Sequence, residues 1–190
     1  MKVISILGSP KPRGNTAAIL SEIERPLNES GAEVVRYCLG ECDIHYCTGC
    51  KSCYESGKCI HNDDVQTIIG ELAGSDLVIV ASPSYWGDVT GQMKVFIDRL
   101  TPYCNTKHAE RFTAVKGVGV AVRAGRHKEE NENLIHTMEH FLNHLGIPLI
   151  SSFTAEGVDT VEDLQSQPEI LTAAYDFGKS IVSSLQSEQS

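Results

Sequence analysis

The sequence predicts an α/β fold, with five buried strands alternating with helices in one doubly wound parallel sheet. Two observations carry this. Short apolar, β-branched runs alternate with segments of helical period along the whole chain. One of these runs, DLVIVASP at 76–83, is apolar without alternation, the pattern of a strand covered on both faces. Strands separated by helices join through right-handed crossovers. A chain of 190 residues is long enough to bury such a core as a single domain, 1–190.

The elements follow in order. KVISIL (2–7) is the first strand, and a Gly/Pro-rich turn leads from it to NTAAILSEIERPL, whose apolar positions fall at helical spacing. EVVRYCL (33–39) is the second strand, followed by a cysteine-rich insertion loop over 40–63. DDVQTIIGELAG is a helix with Asp63 or Asn62 as its cap. The apolar strand 76–83 comes next, then a helix around GQMKVFIDRL and a strand VKGVGVAV (115–122). ENLIHTMEHFLNHL is helical, the fifth strand lies near IPLIS, and a final helix runs near 168–186. The polar end of the chain, 187–190, is expected to fray.

Composition removes several classes of function. Hydrophobic residues make up 41% and charged residues 22%, which excludes a disordered chain and leaves a globular one. The formal net charge is −9, and the Lys and Arg residues are scattered rather than gathered into a stripe. Neither nucleic acid nor an anionic membrane surface is an expected partner. The N-terminus runs directly into a strand, and no apolar run reaches the length of a membrane span. A cytoplasmic, reducing location is therefore expected, where clustered cysteines bind metal or do redox chemistry.

In a doubly wound sheet, ligands sit outside the carboxyl ends of the strands, so the turns there are the candidate sites. GSPKPRGNT (8–16) lacks the Gly-Lys-Ser/Thr of a P-loop and the G-x-G-x-x-G of a dinucleotide fold. It does offer Ser9, Asn15 and Thr16 as donors, Lys11 and Arg13 as cations, and the amides of a helix N-terminus. That set suits a phosphate monoester, and it equally suits an ordinary capped turn. SPSYWGDVTGQMK (82–94) places Tyr85 and Trp86 on a turn at the same edge, where they cover either the core or a flat ligand. The third turn, VRAGRHKEEN (122–131), brings Ala124, Gly125, Arg126 and His127 alongside.

The motifs GSPKPRGNT and SPSYWGDVTGQMKVFIDR, in this order, resemble those of the flavodoxin-like NADPH-dependent FMN reductases. With CTGCKSCYESGKC (47–59) added, the chain is most similar to their iron–sulfur flavoprotein subgroup. The resemblance implies a sheet in the order 2-1-3-4-5 and one FMN per subunit. It implies that Ser9, Arg13, Asn15 and Thr16 hold the phosphate, with Lys11 beside them. It further implies that Pro83, Tyr85, Trp86, Gly87 and Asp88, with Ser84 on the same turn, border the isoalloxazine, and Ala124 and Gly125 its pyrimidine side. The chain departs from the family at the third turn, where RAGR replaces a frequent Gly-Gly pair.

The cysteine run C-x2-C-x2-C-x5-C admits a zinc site, a redox thiol pair or a cluster ligand set. Cysteine zinc sites pair two C-x2-C knuckles across a longer spacer, whereas three thiols on one compact loop and a fourth close behind match a cubane. Cys47, Cys50, Cys53 and Cys59 are the expected ligands of a [4Fe-4S] cluster, with Gly49 and Gly57 supplying backbone freedom. Cys38 belongs to the second strand, while Cys42 and Cys104, the latter read as a loop residue, receive no role. HTMEH (136–140) matches a zinc-protease motif, but His136, His140 and His144 point away from the apolar stripe of their helix, and no metal site is expected there.

Three functions remain open: an FMN-binding electron-transfer oxidoreductase coupled to a [4Fe-4S] cluster, a cluster-free NAD(P)H-dependent FMN or quinone reductase, and a non-catalytic interaction module on a flavodoxin scaffold. The first implies a homo-oligomer, dimer or tetramer, in which cluster and flavin exchange electrons across an interface. Its donor is NAD(P)H or ferredoxin, the latter drawn to Lys51 and Lys58 in the cysteine loop.

Overall fold

In the computed structural model the described residues are all but 105, 106, 108–111 and 188–190, so most of the expected frayed tail lies outside them. The elements in chain order are β1 (Lys2–Leu7), α1 (Asn15–Glu29), β2 (Glu33–Cys38), α2 (Ser52–Ser56), α3 (Asp64–Ala73), β3 (Leu77–Pro83) and α4 (Gly91–Asp98). They continue as α5 (Thr101–Cys104), β4 (Lys116–Val122), α6 (Glu129–Leu145), β5 (Leu149–Ala155), α7 (Val161–Gln165) and α8 (Pro168–Ser187). The five strands pair in parallel in the order β2-β1-β3-β4-β5. This is the flavodoxin-like arrangement expected. Its switch point lies between β1 and β3, where the chain turns to build the other half of the sheet.

Alternation along the strands divides the core in two. Ile4 and Ile6 of β1 with Val78 and Val80 of β3 face α3, α4 and α6, packing on Ile68, Met93, Phe96 and Met138. Val3, Leu7, Leu77 and Ile79 face the other way, against Ile19, Leu20 and Ile23 of α1 and Ile181 of α8. β1, β3 and β4 are buried from end to end apart from their partly covered terminal residues, and β2 and β5 form the half-exposed edges. Gly117 and Gly119 let α6 ride low on β4. A Cβ at either would lie 3.0 Å from a Leu142 or Ile135 methyl.

The helices start where their caps dictate. Asp63 and Gln66 form a capping box on α3, and the Thr90 hydroxyl accepts from the Met93 amide at the head of α4. α6 opens on Glu129, Glu130 and Glu132, which complement the positive end of its dipole. α1 differs, because its cap is Gly14, which has no side chain to bond the free amides. Two local expectations change. The insertion loop contains the short helix α2, and Cys104 closes the helical turn α5 rather than sitting in a loop.

Candidate functional site: two cavities

The first cavity, about 110 Å³, opens at the carboxyl edge of the sheet between the turns that follow β1, β3, β4 and β5. Ser9, Lys11, Asn15, Thr16, Pro83, Ser84, Tyr85 and Ala124 line it, all of them candidates from the sequence. Arg13, Trp86, Gly87, Asp88 and Gly125 do not. The lining adds Gly14, Val122, Arg123, Val158 and Asp159.

Local bonding fixes the shape of this edge. The Lys11 amide donates to Ser9 Oγ (3.1 Å), which folds the first turn over the uncapped start of α1. Asn15 Nδ2 donates to the Thr160 carbonyl (2.8 Å), tying that helix to the turn after β5. Thr90 is buried and donates to the Gly8 carbonyl (2.5 Å), so the first turn and the head of α4 move together. The uncapped amides of α1, its dipole and Lys11 put positive potential at this corner, with Asp159 also in the lining.

The second turn is a tight reversal. The Tyr85 amide donates to the Asp88 carbonyl (2.9 Å), and the Asp88 amide returns the bond (3.2 Å). Both central residues have positive φ, 56° at Trp86 and 76° at Gly87, as a type I′ turn requires. Tryptophan in the left-handed region costs about 1–2 kcal/mol. The turn is held by Ser84 Oγ donating to Glu130 Oε2 (3.0 Å) and Thr137 Oγ1 donating to Asp88 Oδ1 (3.3 Å). The indole of Trp86 is wholly in solvent at 104% relative exposure.

The third turn is organised by Arg123, which sequence reasoning passed over. Its guanidinium pairs with Glu130 (3.1 Å), donates to the His127 carbonyl, and leaves a buried Nε without a partner. Gly125 makes room for it, since a Cβ there would lie 2.4 Å from Arg123 Nη2. The missing side chain at 125 is thus filled from within the turn.

The second cavity, about 170 Å³, is lined by Cys47, Cys50, Cys53 and Cys59 together. The loop that carries them is clasped at its neck. The Asp43 amide donates to Asp64 Oδ2 (2.7 Å), the His45 amide to Asp63 Oδ2 (3.0 Å), and the His45 and His61 rings stack with centroids 5.1 Å apart. Gly49 and Gly57 take φ of 69° and 71°, the freedom this loop was expected to need. Cys47 and Cys50 are exposed, and Cys53 and Cys59 half-covered. Burial raises the Cys53 thiol above its ordinary value, and the nearby charges of Cys59, Cys50 and Cys47 add to this. Hydrogen bonds from Ser52 lower the Cys50 thiol.

Beneath this cavity lies Arg99, whose side chain is fully buried. Nη1 donates to Asp63 Oδ2 (2.6 Å) and to the His45 carbonyl (2.6 Å), and Nη2 donates to Asp63 Oδ1 (3.0 Å). Burial works to raise the Asp63 carboxyl, but the bonds from Arg99 and His45 outweigh it and lower the pKa to about 2. Among the described residues no three His, Cys, Asp or Glu side chains are placed to hold a single metal ion. His136, His140 and His144 form an exposed ladder along α6, with ring centroids 6.5 and 4.7 Å apart.

An open parallel sheet of order 2-1-3-4-5, with a cavity at the carboxyl edge beside its switch point, defines a flavodoxin-like protein. The sequence profile of the NADPH-dependent FMN reductases matches residues 1–158, and the chain belongs to that family. Within it the chain groups with the iron–sulfur flavoproteins. It is 40% identical over 130 residues to one from Archaeoglobus fulgidus, an alignment covering 68% of this chain and 58% of that protein. It is 35% identical over 144 residues to one from Methanocaldococcus jannaschii, covering 76% and 73%. The chain thus spans somewhat over half the length of the first relative. The NAD(P)H:quinone oxidoreductase of Methanothermobacter marburgensis shares the fold, with a TM-score of 0.73 at 15% identity over 95% of this chain and 96% of that one. No helix among the described residues is long and apolar enough to cross a membrane.

Proposed function

We propose that the protein is an FMN-dependent oxidoreductase that couples the flavin to a [4Fe-4S] cluster. The observation that carries this reading is the presence in one chain of two separate cavities with donor sets of different chemistry: an anion corner beside aromatics, and four thiols. When bound, FMN supplies hydride or single-electron chemistry and the cluster supplies single electrons.

The residues fit both groups. Ser9, Asn15, Thr16 and the α1 amides, with Lys11 and Arg13 as flanking cations, would hold the phosphate. Pro83, Ser84, Tyr85, Trp86, Gly87 and Asp88 would border the ring, and Ala124 and Gly125 its far edge. Cys47, Cys50, Cys53 and Cys59 would hold the cluster. A cubane gives each thiolate its own iron, so its ligands surround a volume and not a point. Four thiols lining one cavity are consistent with that.

The cavities share no lining residue. The flavin corner adjoins the head of α4 through Thr90, and Arg99 beneath the cysteines follows its last residue, with eight residues or about 12 Å of helix between. The reading carries with it a homo-oligomer in which the cluster of one subunit serves the flavin of another, with NAD(P)H or ferredoxin as donor. One observation favours a cluster-free NAD(P)H-dependent reductase instead: Cys47 and Cys50 lie open to solvent.

Absorption spectra with iron and sulfide assays on protein purified without oxygen separate the two readings. Flavin bands with a broad shoulder and about four iron per subunit are expected, and Cys47→Ala should lose the iron. Flavin without iron or sulfide, even after anaerobic reconstitution, would leave the cluster-free reductase.

A further inference from the structure

The fork of Arg99 is satisfied at both Nη atoms, but its Nε is buried without a hydrogen-bond partner and the residue lines the cysteine cavity. An unmatched buried donor is costly, and burying the charge costs more still unless it is paired. Asp63 matches the charge and leaves the donor over. Cys59 lines the same cavity and lies within hydrogen-bonding reach of the guanidinium, which Asp63 holds from the other side.

We propose that Arg99 is a positioning residue for the cluster: with the cluster bound, its Nε–H donates to the Cys59 thiolate and its charge raises the cluster's reduction potential. This rests on the cluster reading above. A cubane held by four thiolates goes from doubly to triply negative when one electron enters from a reductant. A charged donor at one ligand sulfur stabilises the more negative form more, and hydrogen bonds to the sulfurs are among the levers that set such potentials. Asp63 has a separate part. It holds both Nη atoms of the guanidinium and leaves Nε as the donor without a partner.

The test uses the full chain purified without oxygen. Iron and sulfide assays on the unaltered protein come first, and their absence would sink the cluster reading itself. With the cluster present, pulsed EPR on dithionite-reduced protein labelled with ¹⁵N-arginine should show a weak nitrogen coupling from the guanidinium. Arg99→Lys keeps the charge beside Asp63 but removes Nε–H. It should retain iron, lose the coupling and titrate at a lower potential than the unaltered protein. An iron-loaded Arg99→Lys with unchanged potential, or no coupling in the unaltered protein, would overturn the role assigned to Arg99. Should Arg99→Lys not fold, the coupling in the unaltered protein decides alone.

Discussion

Asp63 serves three partners with one carboxylate: the Val65 amide as the cap of α3, the His45 amide at the neck of the cysteine loop, and the guanidinium of Arg99. Its pKa falls from 3.8 to about 2, so it contributes stability that is present above pH 4 and is lost as pH falls through 2. The shift corresponds to about 2 kcal/mol. Asp63→Asn keeps a cap and removes the charge. In the cluster-free protein it should lower stability at pH 7 by at least that amount, since it leaves Arg99 buried without its counter-ion, and flatten the acid limb between pH 4 and 2. Urea titrations across that range read both effects. An acid limb of unchanged slope would show that other carboxylates set it. The capping role was legible in the sequence, because an acid three residues before a glutamine at a helix start has a local meaning. The pairing with Arg99 was not, because it spans 36 residues and depends on how α4 ends against the loop.

At the scale of elements, α1 and α8 approach closely at Gly178. A Cβ at Gly178 would lie 2.3 Å from the Ile23 carbonyl oxygen and 3.1 Å from Pro26 Cγ, and backbone on that side cannot yield. α1 runs through Pro26 without ending there, and α8 covers that stretch. Gly178→Ala would gain about 1 kcal/mol of helix propensity on an exposed face. Here overpacking of about 1–3 kcal/mol is expected to win, giving a lower urea midpoint with an unchanged m-value. A raised midpoint would mean that the two helices can separate freely. The long helices and all five strands were legible from period, since each buries a stripe or a face wide enough to pattern the sequence. α2, α5 and α7 have four or five residues each, too few to show a period, and Gly178 acquires meaning only from the helix facing it. Arg123 was hidden for a related reason. An arginine at a strand end carries no pattern, and its place in the first cavity follows from Glu130 and Gly125.

For the whole molecule, the topology alone brought the three candidate turns to one edge, which is why so many predicted lining residues meet there. What it left unspecified is what covers that edge. Trp86 is the only tryptophan in the chain, held in a strained backbone conformation on a turn anchored to α6, with its indole fully in solvent. Strain at such a position marks a side chain presented to something. If subunits assemble with the flavin near that turn, sedimentation should give a species heavier than the 20.7 kDa chain. Trp86 should then report the assembly directly: blue-shifted emission and poor access to acrylamide in the holoprotein, and red-shifted emission open to quencher after dissociation. Adding FMN to the apoprotein should quench the same emission. Trp86→Ala should weaken FMN binding while leaving stability within about 0.5 kcal/mol, because an exposed side chain contributes little to the core and its left-handed backbone is no worse for alanine. A heavier species whose indole stays as open to acrylamide as free tryptophan would place the interface elsewhere on the molecule and leave the turn to the flavin alone.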